Sequence, residues 1–224
     1  GQPQGERSRH VIEAVRILDQ RRVDFEYDGE MAADVALNPA LGLGSIQDAL
    51  FAGAAAHPER TAIVDARGAI GYRELSERAN AIAAQLMAAG AQPGDRIAIY
   101  VERSAGLVSA LLGVLEAGCT FSVLDPDQPP AWNQALLGAL QPRGWLHVHG
   151  TPVPAALAQD IESLPVRVSC DGLSRARSRV AALRDPAAPA YVIFASGTTG
   201  MAKGVIGSHR PVRHFLDWYR ETFR

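Results

Sequence analysis

From Ser45 onward, predicted helices alternate with short apolar strands, and this alternation limits the folds available to the chain. The clearest helix spans 72–90, where apolar residues recur at helical spacing and Gly90 ends the pattern. Further helices are predicted at 45–56, 104–117 and up to Leu140, and strands at 61–64, 96–101, 120–124, 145–148, 166–169 and 191–194. Such an alternation favours an α/β fold with mainly parallel strands and flanking helices.

The first 44 residues have a different pattern. Apolar residues within 8–22 follow helical spacing, which predicts a helix. Within 24–31, acidic and apolar residues alternate strictly, which predicts a strand with four carboxylates on one face. Residues 38–45 hold Pro39, Gly42 and Gly44 and are typical of a linker. We therefore expect a helix-strand leader with its linker over 1–44 and a partial domain over 45–224.

Charge and composition exclude several functional classes. The 224 residues carry 22 Lys and Arg against 24 Asp and Glu, a net charge of -2, which gives no electrostatic reason to expect a nucleic acid or an anionic membrane as partner. Cys119 and Cys170 lack the spacing of a zinc or redox site. The N-terminus has no signal-peptide core, and the longest apolar stretch, 105–115, is too short to cross a bilayer. We expect a cytoplasmic location.

The segment 195–204, with the sequence ASGTTGMAKG, has the parts of a polyphosphate-binding loop. Glycines allow backbone amides to approach phosphate oxygens, hydroxyl groups add donors, and a lysine adds a compact positive charge. The candidate nucleotide-binding residues are Ser196, Gly197, Thr198, Thr199, Gly200 and Lys203. The loop is not a Walker A motif, because Lys203 precedes Gly204 and a predicted strand follows instead of a helix. A glycine-rich hairpin without a ligand is the alternative.

Three ordered motifs carry a family resemblance. The segment 191–209, YVIFASGTTGMAKGVIGSH, resembles the phosphate-binding signature of the adenylate-forming superfamily, which includes acyl-CoA synthetases and the adenylation domains of nonribosomal peptide synthetases. The segments 70–86 and 111–130 resemble the first two core motifs of peptide-synthetase adenylation domains. The resemblance covers about 45–224. The LDP turn at 124–126, which follows LEAG at 115–118, resembles the corresponding turn of the amino-acid-activating members of the superfamily.

This resemblance implies ATP-dependent activation of a carboxylic acid, in particular an amino acid, as an acyl-adenylate with release of pyrophosphate. The acyl group would then pass to the thiol of a peptidyl carrier domain. The six loop residues and Mg²⁺ would hold the β- and γ-phosphates, and the loop would move to admit ATP. Met201 and Ala202 depart from the usual residues before the lysine, and 119–122 departs from the usual second motif, but neither change removes a phosphate donor.

The family's substrate pocket, its adenine- and metal-binding motifs and its catalytic lysine follow the phosphate loop, whereas this chain stops at Arg224. No catalytic residue is identifiable within it. We therefore expect a fragment or truncated form that needs the remainder of the domain, or a completing subunit, for full activity. The apolar stripe predicted on a helix over 210–224 should be left exposed unless such a partner covers it.

The N-terminal segment 10–39 has a second resemblance, to phosphate acyltransferases of the phosphotransacetylase type. About thirty residues cannot form that fold, so a docking or leader role is expected. The four aligned carboxylates suit a divalent cation, but a solvated strand face is the favoured interpretation.

Other candidates have structural explanations that we favour. His147 and His149 share a strand face but have no nearby third ligand, and His209 is expected to pack. Asp125 and Asp127 flank Pro126 in an expected turn, and the basic run 174–179 is expected to be solvated.

Two rival functions remain open: a non-catalytic adenylation-like platform for a partner subunit, and a module related to phosphate acyltransferases. No membrane and no nucleic acid are expected as partners.

Overall fold

A computed structural model describes residues 17–18, 44–148, 150–180, 185–196 and 202–222. The helices of this part are α1 Ile46–Ala56, α2 Tyr72–Ala88, α3 Ala105–Glu116, α4 Pro130–Leu140, α5 Ala158–Glu162 and α6 His209–Thr222, with a turn of 3₁₀ helix at Ala155–Leu157. The strands are β1 Ile17–Leu18, β2 Thr61–Asp65, β3 Gly68–Gly71, β4 Arg96–Tyr100, β5 Thr120–Leu124, β6 Gly144–His147, β7 Val166–Ser169, β8 Pro189–Ser196 and β9 Ala202–Ser208.

Seven of these strands form one mixed sheet in the order β1-β9-β8-β5-β4-β6-β7. The five strands from β8 to β7 run parallel, while β9 is antiparallel to β8 and β1 is antiparallel to β9. Strands β2 and β3 form a separate antiparallel hairpin. The predicted α/β fold with mainly parallel strands is confirmed.

Strand β4 lies in the middle of the parallel part of the sheet, and its side chains from Ile97 to Tyr100 are buried on both faces. Ile97 and Ile99 pack with Ile82 of α2 and Val114 of α3, in a cluster on one face of the sheet. On the other face, Ala98 and Tyr100 lie in a cluster with side chains of α4. A strand that alternates between two cores must be apolar throughout, as central strands of parallel sheets are.

Serine residues cap two helices at the predicted places. Ser45 begins α1 in a capping box, in which its backbone N–H donates to the Asp48 carboxylate at 2.9 Å. The Ser104 hydroxyl oxygen accepts from the Leu107 N–H at 3.3 Å at the start of α3. These caps fix two of the boundaries that the sequence predicts.

The expected helix over 8–22 is wrong at Ile17 and Leu18, which form β1 and pair with Val205 and Gly204 of β9. Backbone hydrogen bonds to a sheet edge outweigh local helical periodicity, because they satisfy donors and acceptors of both segments. The predicted strand over 24–31, with its four carboxylates, and the linker up to residue 43 lie outside the described residues. The β3 strand and the short helix α5 were missed by the pattern analysis.

Among the described helices, none combines the length and the apolar character that a membrane crossing requires.

Candidate phosphate-binding site

The predicted phosphate loop joins β8 to β9. These strands pair through Phe194 with Gly204, Ala195 with Lys203, and Ser196 with Ala202. Ser196 is thus the last residue of β8, and it forms the final residue pair before the loop with Ala202. Lys203 belongs to the next pair, one position farther from the loop. The loop residues Gly197, Thr198, Thr199 and Gly200 lie outside the described residues, as does Met201. The hairpin confirms the strand-loop-strand arrangement that distinguishes this segment from a Walker A motif.

The hairpin opens at the carboxyl edge of the parallel strands. Strand β8 runs parallel to β5, with Tyr191 beside Phe121, so Ser196 leaves the sheet at the same edge as Leu124. Ligands of open α/β sheets bind at this edge, because strand ends and loops meet there. The position suits a nucleotide site, although the absence of a following helix removes the helix dipole as an anion partner.

Lys203 is half-buried and is the only lysine in the sequence. Its cross-strand partner, Ala195, has a small side chain, which leaves space beside the long lysine side chain. The structure therefore brings Ser196 and Lys203 to the two ends of the predicted loop.

A glycine and an aromatic ring shape the base of the hairpin. Tyr191 pairs with Gly207 across the strands, and a Cβ atom at Gly207 would overlap the Tyr191 ring. The Tyr191 ring also lies 6.0 Å, between centroids, from the ring of Phe121. Beside them, the Thr120 hydroxyl donates to the Pro189 carbonyl at 3.0 Å. Gly207 is needed for this close approach, a role that the sequence pattern alone did not reveal.

A cavity of about 460 Å³ opens at the same edge, between β5, β8 and α4. Trp132, Asn133 and Phe194 contribute to its walls. The Asn133 amide donates to the Asp125 carbonyl at 2.9 Å, while its buried Oδ1 atom has no hydrogen-bond partner among the described residues. A buried polar atom without a partner is uncommon in folded proteins. Sequence analysis did not single out Asn133, because asparagine at the start of a helix is ordinary.

The turn at Asp125 and Asp127 has the expected structural role. The Asp127 N–H donates to the Asp125 side-chain oxygen at 2.9 Å, which is the hydrogen bond of an Asx turn. Across the described part of the chain, no three His, Cys, Asp or Glu side chains are grouped as metal ligands would be.

The histidine candidates separate into different environments. His209 is buried at the start of α6, and its Nδ1 atom accepts from the Ile46 N–H at 3.4 Å, which supports the predicted packing role. Burial lowers the pKa of His209, although the charges of Asp48 and Asp185 oppose the shift. His147 lies with its Nε2 atom 2.6 Å from the Thr151 carbonyl oxygen, and His149 is outside the described residues.

Five of the six residues of the basic run 174–179 are exposed, as expected, and its arginines also form ion pairs with the folded domain. Arg175 lies 2.7 Å from Glu74, and Arg177 lies 3.6 Å from Glu77. Arg179 reaches a buried carboxylate, Glu116, at 2.8 Å. These ion pairs attach the connector before β8 to helices α2 and α3, and they neutralise the run that would otherwise attract polyanions.

Comparison with known proteins agrees with this geometry. The model of the family described as AMP-binding enzyme matches residues 50–224, and the model described as phosphate acetyl/butaryl transferase matches residues 1–56. Tyrocidine synthase 3 of Brevibacillus parabrevis is 36% identical over 170 residues, which cover 76% of this chain and 3% of that protein.

Two solved structures extend the comparison. The nonribosomal peptide synthetase FmoA3 in its AMPPNP-bound form aligns with a TM-score of 0.68 and 25% identity, over 80% of this chain and 19% of that one. Holo-PA1221, a synthetase protein containing adenylation and PCP domains, aligns with a TM-score of 0.63 and 32% identity, over 76% of this chain and 29% of that one.

The chain thus spans less than a third of each of these three relatives. The matched part holds six of the seven strands of the mixed sheet, including the β8–β9 hairpin, and the helices around them. It corresponds to the N-terminal part of an adenylation domain. The family model matches more than three quarters of the residues of this chain. The chain therefore belongs to the AMP-binding enzyme family of adenylate-forming proteins.

Proposed function

We propose that this chain forms the ATP-phosphate-binding part of an adenylation domain that activates an amino acid or another carboxylic acid as its acyl-adenylate. The observation that carries the proposal is the β8–β9 hairpin, which begins its loop at Ser196, places Lys203 just beyond it and opens at the carboxyl edge of the sheet. Donors aimed at the departing pyrophosphate lower the barrier because negative charge accumulates there during the reaction.

The proposed nucleotide contacts are backbone amides and hydroxyls of the loop together with the Lys203 ammonium. Ser196, Gly197, Thr198, Thr199 and Gly200 supply the first group. Mg²⁺ neutralises phosphate charge when bound, and it commonly keeps phosphate and water ligands with few protein carboxylates. Within this chain we propose that the ion would act through the phosphate oxygens that the loop binds, and that any protein ligands come from the family's metal-binding motif, which follows the phosphate loop.

The substrate and carrier partners are proposed from the relatives. PA1221 contains both an adenylation and a PCP domain, so a carrier thiol is the proposed acceptor of the acyl group here. The identity of the acid depends on pocket residues that, in the family, follow the phosphate loop.

We propose that the remainder of the domain, in the same polypeptide or in a completing subunit, covers the outer face of α6. Phe215, Trp218 and Tyr219 are exposed on that helix, and their rings contact one another. Grouped exposed aromatic side chains on a soluble protein are typical of a covered surface. In an ATP–pyrophosphate exchange assay with a panel of amino and carboxylic acids, the 224-residue chain alone should show no exchange above a heat-inactivated blank. Robust exchange would contradict the need for a partner.

The single lysine provides a direct test of nucleotide binding. An amine-reactive reagent modifies only Lys203 and the N-terminal amine, and mass spectrometry distinguishes the two. We expect ATP with Mg²⁺ to protect Lys203 from modification, while the N-terminal amine reacts at an unchanged rate. Calorimetry should show that Lys203→Ala weakens ATP binding by about 10- to 100-fold, the loss of one charge-assisted contact, whereas Lys203→Arg retains more affinity.

Failure of ATP to bind or protect, even after the remaining domain is supplied, would refute the nucleotide site and favour a non-catalytic platform.

A second candidate function has its own observation, the match of residues 1–56 to the phosphate acetyl/butaryl transferase family. Helix α1 lies within that match but also contacts the adenylation part, since the Gln47 amide donates to the Leu115 carbonyl at 2.9 Å. We propose that the segment 1–44 acts as a leader that attaches to the sheet through β1, and that it does not transfer acyl groups. Conversion of acetyl-CoA and phosphate to acetyl phosphate and CoA by the chain would contradict this proposal.

A further inference from the structure

A second cavity, of about 480 Å³, is lined by residues other than those of the β8–β9 hairpin. It is enclosed by the turn of the β2–β3 hairpin, helix α2, the start of α3 and the segment that follows β7. We call it the hairpin cleft. Its volume is within the range of small-molecule sites.

The hairpin cleft occupies a favoured ligand position of the sheet. Strand β4 lies between β5 and β6 in the sheet. The connection that leaves β4 leads to β5 on one side, whereas β6 pairs with β4 on the other side. The carboxyl ends of β4 and β6 therefore flank a point where the strand order reverses, and in open α/β sheets such a point forms a crevice. Val148, just after β6, and Gly106, near the start of α3, line the cleft at this point. Strands β6 and β8 are three strand spacings apart, about 14 Å, so the cleft is distinct from the phosphate hairpin.

The charges around the cleft leave an excess of one positive charge. Arg67, Arg78 and Arg175 line it, against the carboxylates of Asp65 and Glu74. One oxygen of Glu74 contacts both Arg78, at 2.5 Å, and Arg175, at 2.7 Å. A single carboxylate shared by two guanidinium groups leaves donors of both arginines available.

Asp65 offsets the charge of the remaining arginine, Arg67, without a direct ion pair between the two. Its two oxygens accept from backbone amides, those of Ala105 and Arg67, each at 2.8 Å. No carboxylate in the described part of the chain lies within salt-bridge distance of the Arg67 guanidinium group, which reaches across the mouth of the cleft. A Cβ atom placed on Gly150, beyond β6, would be 3.2 Å from its Nη2 atom. Arg67 is therefore positioned as a cationic group at the entrance.

The interior of the cleft is apolar. Ile70, Ile82, Val148 and Leu173 line it, together with Ala81. Guanidinium groups bind carboxylates with two parallel hydrogen bonds, and an apolar wall favours the hydrocarbon part of the same ligand. A single excess positive charge matches a monoanion better than a phosphate dianion.

We propose that the hairpin cleft binds a small monocarboxylate with an apolar body, of the aromatic or medium-chain type, with the carboxylate at Arg67 and the body against the apolar wall. This site does not depend on the proposed nucleotide function.

The test uses the 224-residue chain with benzoate and octanoate as probes, and with benzamide and inorganic phosphate as matched comparisons. We expect saturable binding of at least one carboxylate with a Kd of about 1 mM or tighter, with amide NMR signals of Ala105 and Gly106 shifted. Benzamide and phosphate should bind at least about 10-fold more weakly, because one lacks the charge and the other the apolar body. Saturating ATP should leave the carboxylate affinity unchanged, so failure here is distinguishable from failure of the nucleotide proposal.

Arg67→Ala should weaken carboxylate binding by about 10-fold or more, while Arg103→Ala, which removes an exposed arginine outside the cleft lining, should not change it. Ala69→Trp should block the cleft from its exposed rim. Circular dichroism confirms that each variant is folded. The proposal is overturned if neither carboxylate binds at 10-fold above the expected Kd, or if Arg67→Ala and Ala69→Trp both bind like the unmodified chain.

Discussion

The buried ion pair between Glu116 and Arg179 gives the sharpest test of how the connector before β8 is held. The Glu116 side chain, at the end of α3, is 0% exposed, and its two oxygens each lie 2.8 Å from a nitrogen of Arg179. Arg179 also contacts Asp48 at 3.1 Å, and its guanidinium carbon lies 4.0 Å from the ring centre of Phe51. One arginine thus joins the connector to α1 and α3.

Arg179→Ala should destabilise the fold by about 2–3 kcal/mol. Hydrogen bonds to a charged group contribute about 1.5–3 kcal/mol, and this change removes the two that Arg179 donates to the buried Glu116 carboxylate. The Arg179 side chain is 36% exposed, so water can reach Glu116 in the variant, which places the loss at the lower end of that range. The lost contact with the Phe51 ring adds about 0.5–1 kcal/mol.

Urea and thermal denaturation of the 224-residue chain, followed by circular dichroism, measure this loss, which corresponds to a fall in Tm of roughly 10 °C for a domain of this size. The matched control is Arg177→Ala in the same connector, whose side chain is 92% exposed and whose ion pair is long; its effect should stay within about 0.5 kcal/mol. In a double-mutant cycle, Arg179→Ala combined with Glu116→Gln should cost at least about 1 kcal/mol less than the sum of the two single changes, since both remove the same ion pair. Equal effects of the two arginine variants, or additive effects in the cycle, would refute the reasoning.

Three further predictions concern stability and reactivity. Gly207→Val should destabilise the fold by about 2 kcal/mol or more, because the valine side chain would overlap the Tyr191 ring. Gly138→Ala, in open space on α4, should instead raise Tm by about 2–4 °C. A lower Tm for both variants would contradict the packing argument. Burial lowers the pKa of His209, so the stabilising contribution of the neutral imidazole is complete above pH 6.5 and is lost as the pH falls through the lowered pKa. Urea unfolding midpoints measured from pH 7.5 to 5 should therefore decline less in His209→Asn than in the unmodified chain. Parallel plots of midpoint against pH for the two proteins would count against this role. Burial raises the pKa of the Cys119 and Cys170 thiols to about 12, which lowers the fraction of reactive thiolate. Iodoacetamide at pH 8 should therefore alkylate both cysteines on the order of 10³-fold more slowly than free cysteine. Rapid labelling of the folded chain would disprove the burial of the thiols.

Sequence alone determined the fold class and most element boundaries, since these depend on local periodicity and on capping residues. Helix α2 and strand β4 follow directly from the spacing of apolar residues, and Ser45 and Ser104 begin helices through hydrogen bonds to residues three positions away. The resemblance of 191–209 predicted a phosphate-binding loop between β8 and β9, because its glycines, hydroxyls and lysine are adjacent in the chain.

Tertiary structure decided the features whose partners are distant in sequence. Pattern analysis assigned Ile17 and Leu18 to a helix, because it cannot see the edge of β9 that they join. It predicted correctly that 174–179 is solvated, but it could not show that carboxylates from three helices pair with its arginines. The hairpin cleft likewise depends on segments more than 100 residues apart, from Arg67 to Arg175. Periodicity records which face of an element is apolar, but the contacts between charged side chains appear only when packing brings separate elements together.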